Sequence, residues 1–223
     1  MADAEATPQR IGAARPPRVG VLMMQTAFPR PPGDVGNPAT FGGHGLYETV
    51  PGATIARVIG GPPEDPAMAE AFVPARDRLV ARGAESVTTT CGMLVLHQDR
   101  LQRDCPVPVV TSSLLQLPLR LSTLRPGRTV GILALDSRRL RQAHLRAAGV
   151  TRDLPAGGLE GGHTLLRTIE ADDPDAALDP SAAERDAVEA ARALVARHPE
   201  IETIVLECAN LPPYRAAIER SLG

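Results

Sequence analysis

The sequence predicts an α/β protein of two pseudo-symmetric lobes, each a mainly parallel sheet flanked by helices, with a candidate site in the cleft between them. Three observations lead there. Apolar runs of strand length alternate with amphipathic stretches of helical period, the pattern of βαβ units. A unit repeats: Leu79-Val80-Ala81-Arg82 closes a helical stretch ahead of a strand and Cys91, and Leu194-Val195-Ala196-Arg197 does the same ahead of Cys208. Both cysteines stand just past the carboxyl end of a strand, where open parallel sheets bind their ligands. A chain of 223 residues has material for one large domain or two small ones.

Residues 1–17 carry Pro, Ala and charge without periodicity and read as a flexible lead-in. RVGVLMM from Arg18 is a buried parallel strand by its unbroken apolar run. The Pro- and Gly-rich segment after it is long for a connection, a length that goes with function or disorder. TIARVI around Ile55 reads as the second strand. Residues 66–82 read as helix, with Pro74 breaking it or starting a second one. ESVTTT is the third strand, followed by the helical MLVLHQDRLQRD, the short strand VPVV, and a helix from about Ser113. After an RPG turn come the strand TVGILAL and the helix SRRLRQAHLRAAG. Residues 157–179 have no clear period, 181–197 read as helix, and IETIVLE is the last strand. The expected division is a first lobe of residues 18–107 with 209–223 and a second lobe of 108–208.

Composition removes several functions. Net charge is −2 and all 24 basic residues are scattered arginines, so the footprint of a nucleic-acid binder is missing. Aromatic residues at 2% leave no base-stacking platform. No apolar run approaches the ~18 residues of a membrane helix, so no membrane partner is expected. Three cysteines without CxxC spacing argue against a disulfide framework or structural zinc, and fit a reducing, cytoplasmic location.

Two thiols on opposite sides of a cleft have a specific use. Inverting a carbon centre beside a carboxylate takes a proton from one face and returns one to the other, which two opposed acid/base groups can do. An unperturbed cysteine pKa of ~8.5 lets one member wait as thiolate and the other as thiol. A helix N-terminus behind each sulfur is expected to lower the thiolate's pKa. Reacting atoms within about 3 to 3.5 Å would put the sulfurs roughly 6 to 8 Å apart.

The segments FPRPPGDVGNPATF, TTTCGML, PVVTSSLLQLPL, VGILALDSRRL and LECANLPPYRAAI together resemble the aspartate/glutamate racemase superfamily, in its branch with TTxCG and LECxNxPPY motifs. The likeness runs from Arg18 to the C-terminus. It implies a cofactor-independent enzyme acting on a small carboxylate or amino acid, with Cys91 and Cys208 as paired acid/base residues. By the same resemblance Thr90, Gly92, Ala209 and Asn210 would hold the substrate carboxylate and the enolate-like intermediate. Gln25 and Thr26 would line the site from the first strand, and Thr111, Ser112 and Ser137 from the second lobe. A homodimer is expected on the same ground. The sequence departs from the branch in two ways: Gln25 stands where an acidic residue is frequent, and no further strand and helix follow the PPY segment before Gly223, so the first lobe is expected to be completed differently or shortened.

Blander readings stand beside these. A lone cysteine is more often core than catalyst, and only the paired motifs reverse that; Cys105 has no such support. The five histidines show no HxxxH or HExxH spacing, so no metal is expected; His44 is kept because its loop could fold over the cleft. GDVGN and FGGHG match no nucleotide loop and read as turns. The reaction expected first is racemisation. Its rivals are a same-fold cysteine-dependent decarboxylase, hydantoin racemase or maleate-type isomerase, and a non-catalytic protein that binds a small ligand or partner in the same cleft.

Overall fold

The structure is a computed structural model that describes residues 16–62, 65–162 and 164–223. The expected lead-in over residues 1–17 lies, for its first fifteen residues, outside that part, as does His163.

Two all-parallel sheets form the frame. The first has the order β2-β1-β3-β4, from β1 (Val19–Met23), β2 (Gly45–Thr49), β3 (Ser86–Thr89) and β4 (Val109–Val110). The second has the order β6-β5-β7, from β5 (Thr129–Leu133), β6 (Ala156–Gly157) and β7 (Ile201–Leu206). In each sheet the first strand in the chain lies between the second and third. β3 and β7 therefore hold equivalent places, each preceded by a long helix and followed by a cysteine.

Those helices are α2 (Pro66–Ala81) and α7 (Pro180–Arg197). Both begin the same way. An aspartate N-cap accepts a backbone N–H, Asp65 from Ala67 at 2.9 Å and Asp179 from Ser181 at 2.9 Å, and proline fills the first helical position, where no N–H is needed. α2 buries Met68, Phe72, Ala75 and Leu79 on the first sheet, and α7 buries Ala183, Ala187, Ala191 and Leu194 on the second. These stripes at helical spacing supply the apolar burial that holds each helix down. α2 runs unbroken through Pro74, contrary to the expected break. The lost hydrogen bond, a cost of about 3 kcal/mol in a helix interior, is outweighed by core contacts on both sides of the proline.

TIARVI is not a strand. Ile55–Val58 forms the short helix α1, and the second strand is Gly45–Thr49, inside the segment read as loop. Ile55, Val58 and Ile59 fall at i, i+3 and i+4, a helical spacing, and all three pack on the first core. GLYET is an edge strand without a buried residue, so it lacks the apolar run that marks an inner strand. MLVLHQDRLQRD is helical but divided into a 3-10 turn at Gly92–His97 and α3 (Gln98–Gln102). The segment from Ser113 likewise opens as a 3-10 turn before α4 (Leu117–Thr123). Between Ser137 and Ala147 a further 3-10 turn (Ser137–Arg139) precedes α5 (Gln142–Ala147), and the unperiodic stretch holds β6 and α6 (Leu165–Ala171).

On the expected lobe boundaries, Val109–Val110 lies past residue 107 yet pairs with β3 of the first sheet. The segment from 209, expected with the first lobe, carries α8 (Arg215–Leu222) and packs Leu211, Tyr214 and Ile218 into one apolar cluster with α6 and α7. Among the described residues no helix is long and apolar enough to cross a membrane.

Candidate active site

Cys91 follows the last residues of β3. Thr90 continues the ladder by donating its N–H to the Leu22 carbonyl at 3.1 Å, and the chain then turns into the 3-10 segment that Cys91 caps in an extended conformation. The turn opens with the Leu94 N–H donated to the Cys91 carbonyl at 3.1 Å, and the backbone N–H groups of Met93 and Leu94 favour the Cys91 anion. Gly92 is required by what lies across the cleft. A Cβ at this position would meet the Glu207 carbonyl oxygen and Oε1, each at 2.3 Å, so only glycine lets the two lobes close to this distance.

Cys208 follows β7 in the same way. Glu207 donates its N–H to the Leu133 carbonyl at 2.8 Å, and the chain turns through Cys208 to Leu211. The Cys208 thiol donates to Asn210 Oδ1 at 3.2 Å, and Asn210 Nδ2 donates to Asp34 Oδ2 at 2.6 Å.

The two cysteines line one cavity of ≈ 110 Å³. Both are largely buried, Cys91 at 7% and Cys208 at 8% exposure. Met24, Phe28, Ile59, Met93, Leu135 and Ile169 make most of its wall apolar, and Arg30, Arg139, Asp136, Glu170 and Glu207 bring charge. Arg30 lies over the Phe28 ring, 4.2 Å from its centroid, while donating to Asp34 Oδ1 and Thr26 Oγ1 at 2.9 Å each.

Burial pushes the Cys91 thiol up to about 12, with the Glu207 charge adding to it; the Met93 and Leu94 N–H groups and Arg30 act the other way. Burial also pushes Cys208 well above its ordinary value, again with Glu207 adding to it. The expected lowering by helix N-termini is therefore present at Cys91 as backbone donors but is outweighed by desolvation. Glu207, buried with no hydrogen bond or ion pair to its carboxyl among the described residues, is pushed up to about 7 by burial.

Of the other expected site residues, Thr26, Thr90, Gly92 and Asn210 line the same cavity. Thr90 Oγ1 accepts the Met24 N–H at 3.1 Å, which leaves its hydroxyl proton free to donate. Gln25, Thr111, Ser112, Ser137 and Ala209 do not line it. Gln25 is exposed and its Oε1 accepts the Gly52 N–H at 2.7 Å. Thr111 is buried against Gln98 Oε1 at 2.7 Å, and Ser112 caps the next 3-10 turn through the Leu114 N–H at 3.1 Å. Ser137 is held by Glu160, and Ala209 offers its carbonyl to the Val35 N–H at 3.2 Å. His44 is exposed and outside the cavity, and Cys105 is half-buried and also outside it.

Phe28, Arg30, Asp34 and Glu207 were not singled out in the sequence. Glu207 had a visible signal, an acidic residue closing an apolar strand directly before a cysteine. Asp34 had none, because its burial depends on a loop that folds across the cleft, with Ala27 and Phe28 donating N–H to Asp172 Oδ1 at 2.6 and 3.2 Å.

No family model matches the sequence. Among curated proteins it is similar to dimethylsulfoniopropionate lyase 5 of Emiliania huxleyi, 27% identical over 215 residues, covering 92% of this chain and 42% of that one. It is also similar to a dimethylsulfoniopropionate lyase of Durusdinium sp. clade D, 28% identical over 211 residues, covering 92% of this chain and 69% of that one. The chain thus spans less than half of the first relative and about two thirds of the second. Among solved structures it resembles a glycine-to-cysteine variant of arylmalonate decarboxylase in its sulfate-associated form, with TM-score 0.59, 17% identity, and coverage of 93% of this chain and 85% of that one. A glutamate racemase isoform from Bacillus anthracis gives TM-score 0.51, 15% identity, and coverage of 93% and 74%. These structures share the two-lobe α/β fold with this chain.

Proposed function

We propose that the protein is an enzyme that moves a proton at the carbon next to a carboxylate, with Cys91 and Cys208 as its acid/base pair and no cofactor. One observation carries the reading: thiols from equivalent strands of two lobes line a single small cavity. A thiolate removes the α-proton, Thr90 and the cavity arginines stabilise the enolate-like intermediate, and the opposite thiol returns a proton. The product is then the mirror-image acid. Racemisation of an amino acid or related small carboxylate is the first reading, because it uses both sulfurs.

A second reading shares the first half of this reaction. The curated relatives are named for cleaving dimethylsulfoniopropionate, a carboxylate with a sulfonium on its β-carbon. There the thiolate takes the α-proton, the Cβ–S bond breaks with its electron pair, and dimethyl sulfide leaves behind acrylate. The similarity across 92% of the chain favours it.

Incubation in D₂O with a panel of amino acids, and separately with dimethylsulfoniopropionate, tests both. Cα deuterium that disappears in Cys91→Ser and in Cys208→Ser is the result for racemisation. Dimethyl sulfide release without exchange into recovered substrate is the result for elimination. Binding without either product contradicts the catalytic reading.

A further inference from the structure

We propose that the two thiols are unequal by construction: Asp34, acting through the side-chain amide of Asn210, holds Cys208 as the thiol, and Cys91 is the cysteine that ionises and takes the first proton. This rests on the reading above of the pair as an acid/base couple, and it adds a direction and a positioning residue to it.

The buried carboxyl of Asp34 receives three donors: Arg30 Nη1 at 2.9 Å and the Gly36 N–H at 2.7 Å on Oδ1, and Asn210 Nδ2 at 2.6 Å on Oδ2. A carboxylate paired with a guanidinium only accepts, so it fixes which end of the amide faces it. The NH₂ of Asn210 must point to Asp34, and its carbonyl oxygen must therefore point to Cys208, 3.2 Å away. A carbonyl oxygen only accepts, so this contact requires a proton on Cys208. A thiolate there would face the oxygen's lone pairs.

Cys91 has the opposite surroundings. Among the described residues its sulfur donates to no carbonyl, and the backbone N–H groups of Met93 and Leu94 at the start of the 3-10 turn it caps favour the anion. Cys208 has one such donor, the Asn210 backbone N–H, set against the side-chain carbonyl. The remaining charges do not reverse the order. Glu207 opposes ionisation of both cysteines, Arg30 favours that of Cys91, and the Asp34 charge further opposes that of Cys208. Asp136, Arg139 and Glu170 complete the charged part of the wall, with Arg139 turned to Asp136.

The resulting sequence balances. The Cα–H bond breaks and an S–H bond forms on Cys91, leaving the electron pair on the substrate. The Cys208 S–H bond then breaks as a new Cα–H bond forms on the other face. The site is left with a thiol at Cys91 and a thiolate at Cys208 against the Asn210 carbonyl, the disfavoured arrangement, which exchange with solvent resets. Elimination needs only the first of these transfers.

Alkylation by iodoacetamide, followed by peptide mass mapping over a pH series, reads the thiolate fraction at each cysteine without any substrate. The two sulfurs share one cavity and are equally buried, so access does not favour either. In the wild-type protein Cys91 should be modified first and at lower pH, about tenfold faster than Cys208, the size of effect one hydrogen bond has on such an equilibrium. In Asp34→Asn the amide of Asn210 is free to turn, and the ratio should fall toward one. Asn210→Ala removes the acceptor itself and should do the same if Asp34→Asn fails to fold by circular dichroism. Faster modification of Cys208 in the wild type, or an unchanged ratio in both variants, overturns the proposal. Loss of the predicted order with Cα exchange intact would refute this direction and leave the acid/base pair standing, whereas the predicted order with neither exchange nor dimethyl sulfide release would do the reverse.

Discussion

Glu207 lies beside both cysteines, next to Cys208 in the chain and against Gly92 across the cleft, with its carboxyl buried and unpaired among the described residues. Burial raises it from 4.5 to about 7, so the folded state holds this proton more tightly than the unfolded chain does. The stability linked to it is present below about pH 4.5 and is lost as pH rises through about 7, an interval of about 3 kcal/mol. Glu207→Gln should therefore raise Tm at pH 8 and leave it nearly unchanged at pH 4; an equal gain at both would contradict this. The same substitution removes a charge that opposes the Cys91 thiolate, so the pH midpoint of Cys91 alkylation should fall. The cysteines were legible in the sequence because TTxCG and LECxNxPPY flank them. Glu207 left only the signal of an acidic residue closing an apolar strand before a cysteine, and Asp34 left none, since its role comes from burial against groups far away in the chain, which no local pattern encodes.

At the scale of elements, the loop after β1 is what closes the site. It carries Thr26, Phe28, Arg30 and Asp34, and is tied to the second lobe where Ala27 and Phe28 donate to Asp172 Oδ1. Asp172 holds a left-handed conformation at φ 49° at the C-terminal end of α6, a place asparagine also tolerates. Asp172→Ala should release the tie, cost about 1 kcal/mol of stability, and speed amide hydrogen exchange at Ala27 and Phe28. Asp172→Asn, which keeps an acceptor and the backbone preference, should retain most of the protection. Unchanged exchange in the alanine variant would mean the loop is held by its other contacts alone. The length of the segment marked it for function or disorder, but the strand inside it was hidden. Gly45–Thr49 is an edge strand with no buried residue, and the apolar residues of TIARVI read as the second strand in its place, although they form the helix α1.

The whole molecule is two copies of one arrangement, a parallel sheet whose first strand is flanked by the second and third, with a cysteine past the third. That repeat was legible because helix, strand and cysteine recur in order, and inner strands such as β5, buried throughout, announce themselves as apolar runs. The place of the last segment was not. Nothing local in PPYRAAI says that Tyr214 and Ile218 pack with α6 and α7. The claim that unites the account is that both sulfurs address one carbon from opposite sides. A crystal structure with malonate bound tests it most directly. The methylene carbon is expected between the Cys91 and Cys208 sulfurs, within about 4 Å of each, with a carboxylate on Thr90 or a cavity arginine. Malonate touching one sulfur alone, or seated outside this cavity, would contradict it.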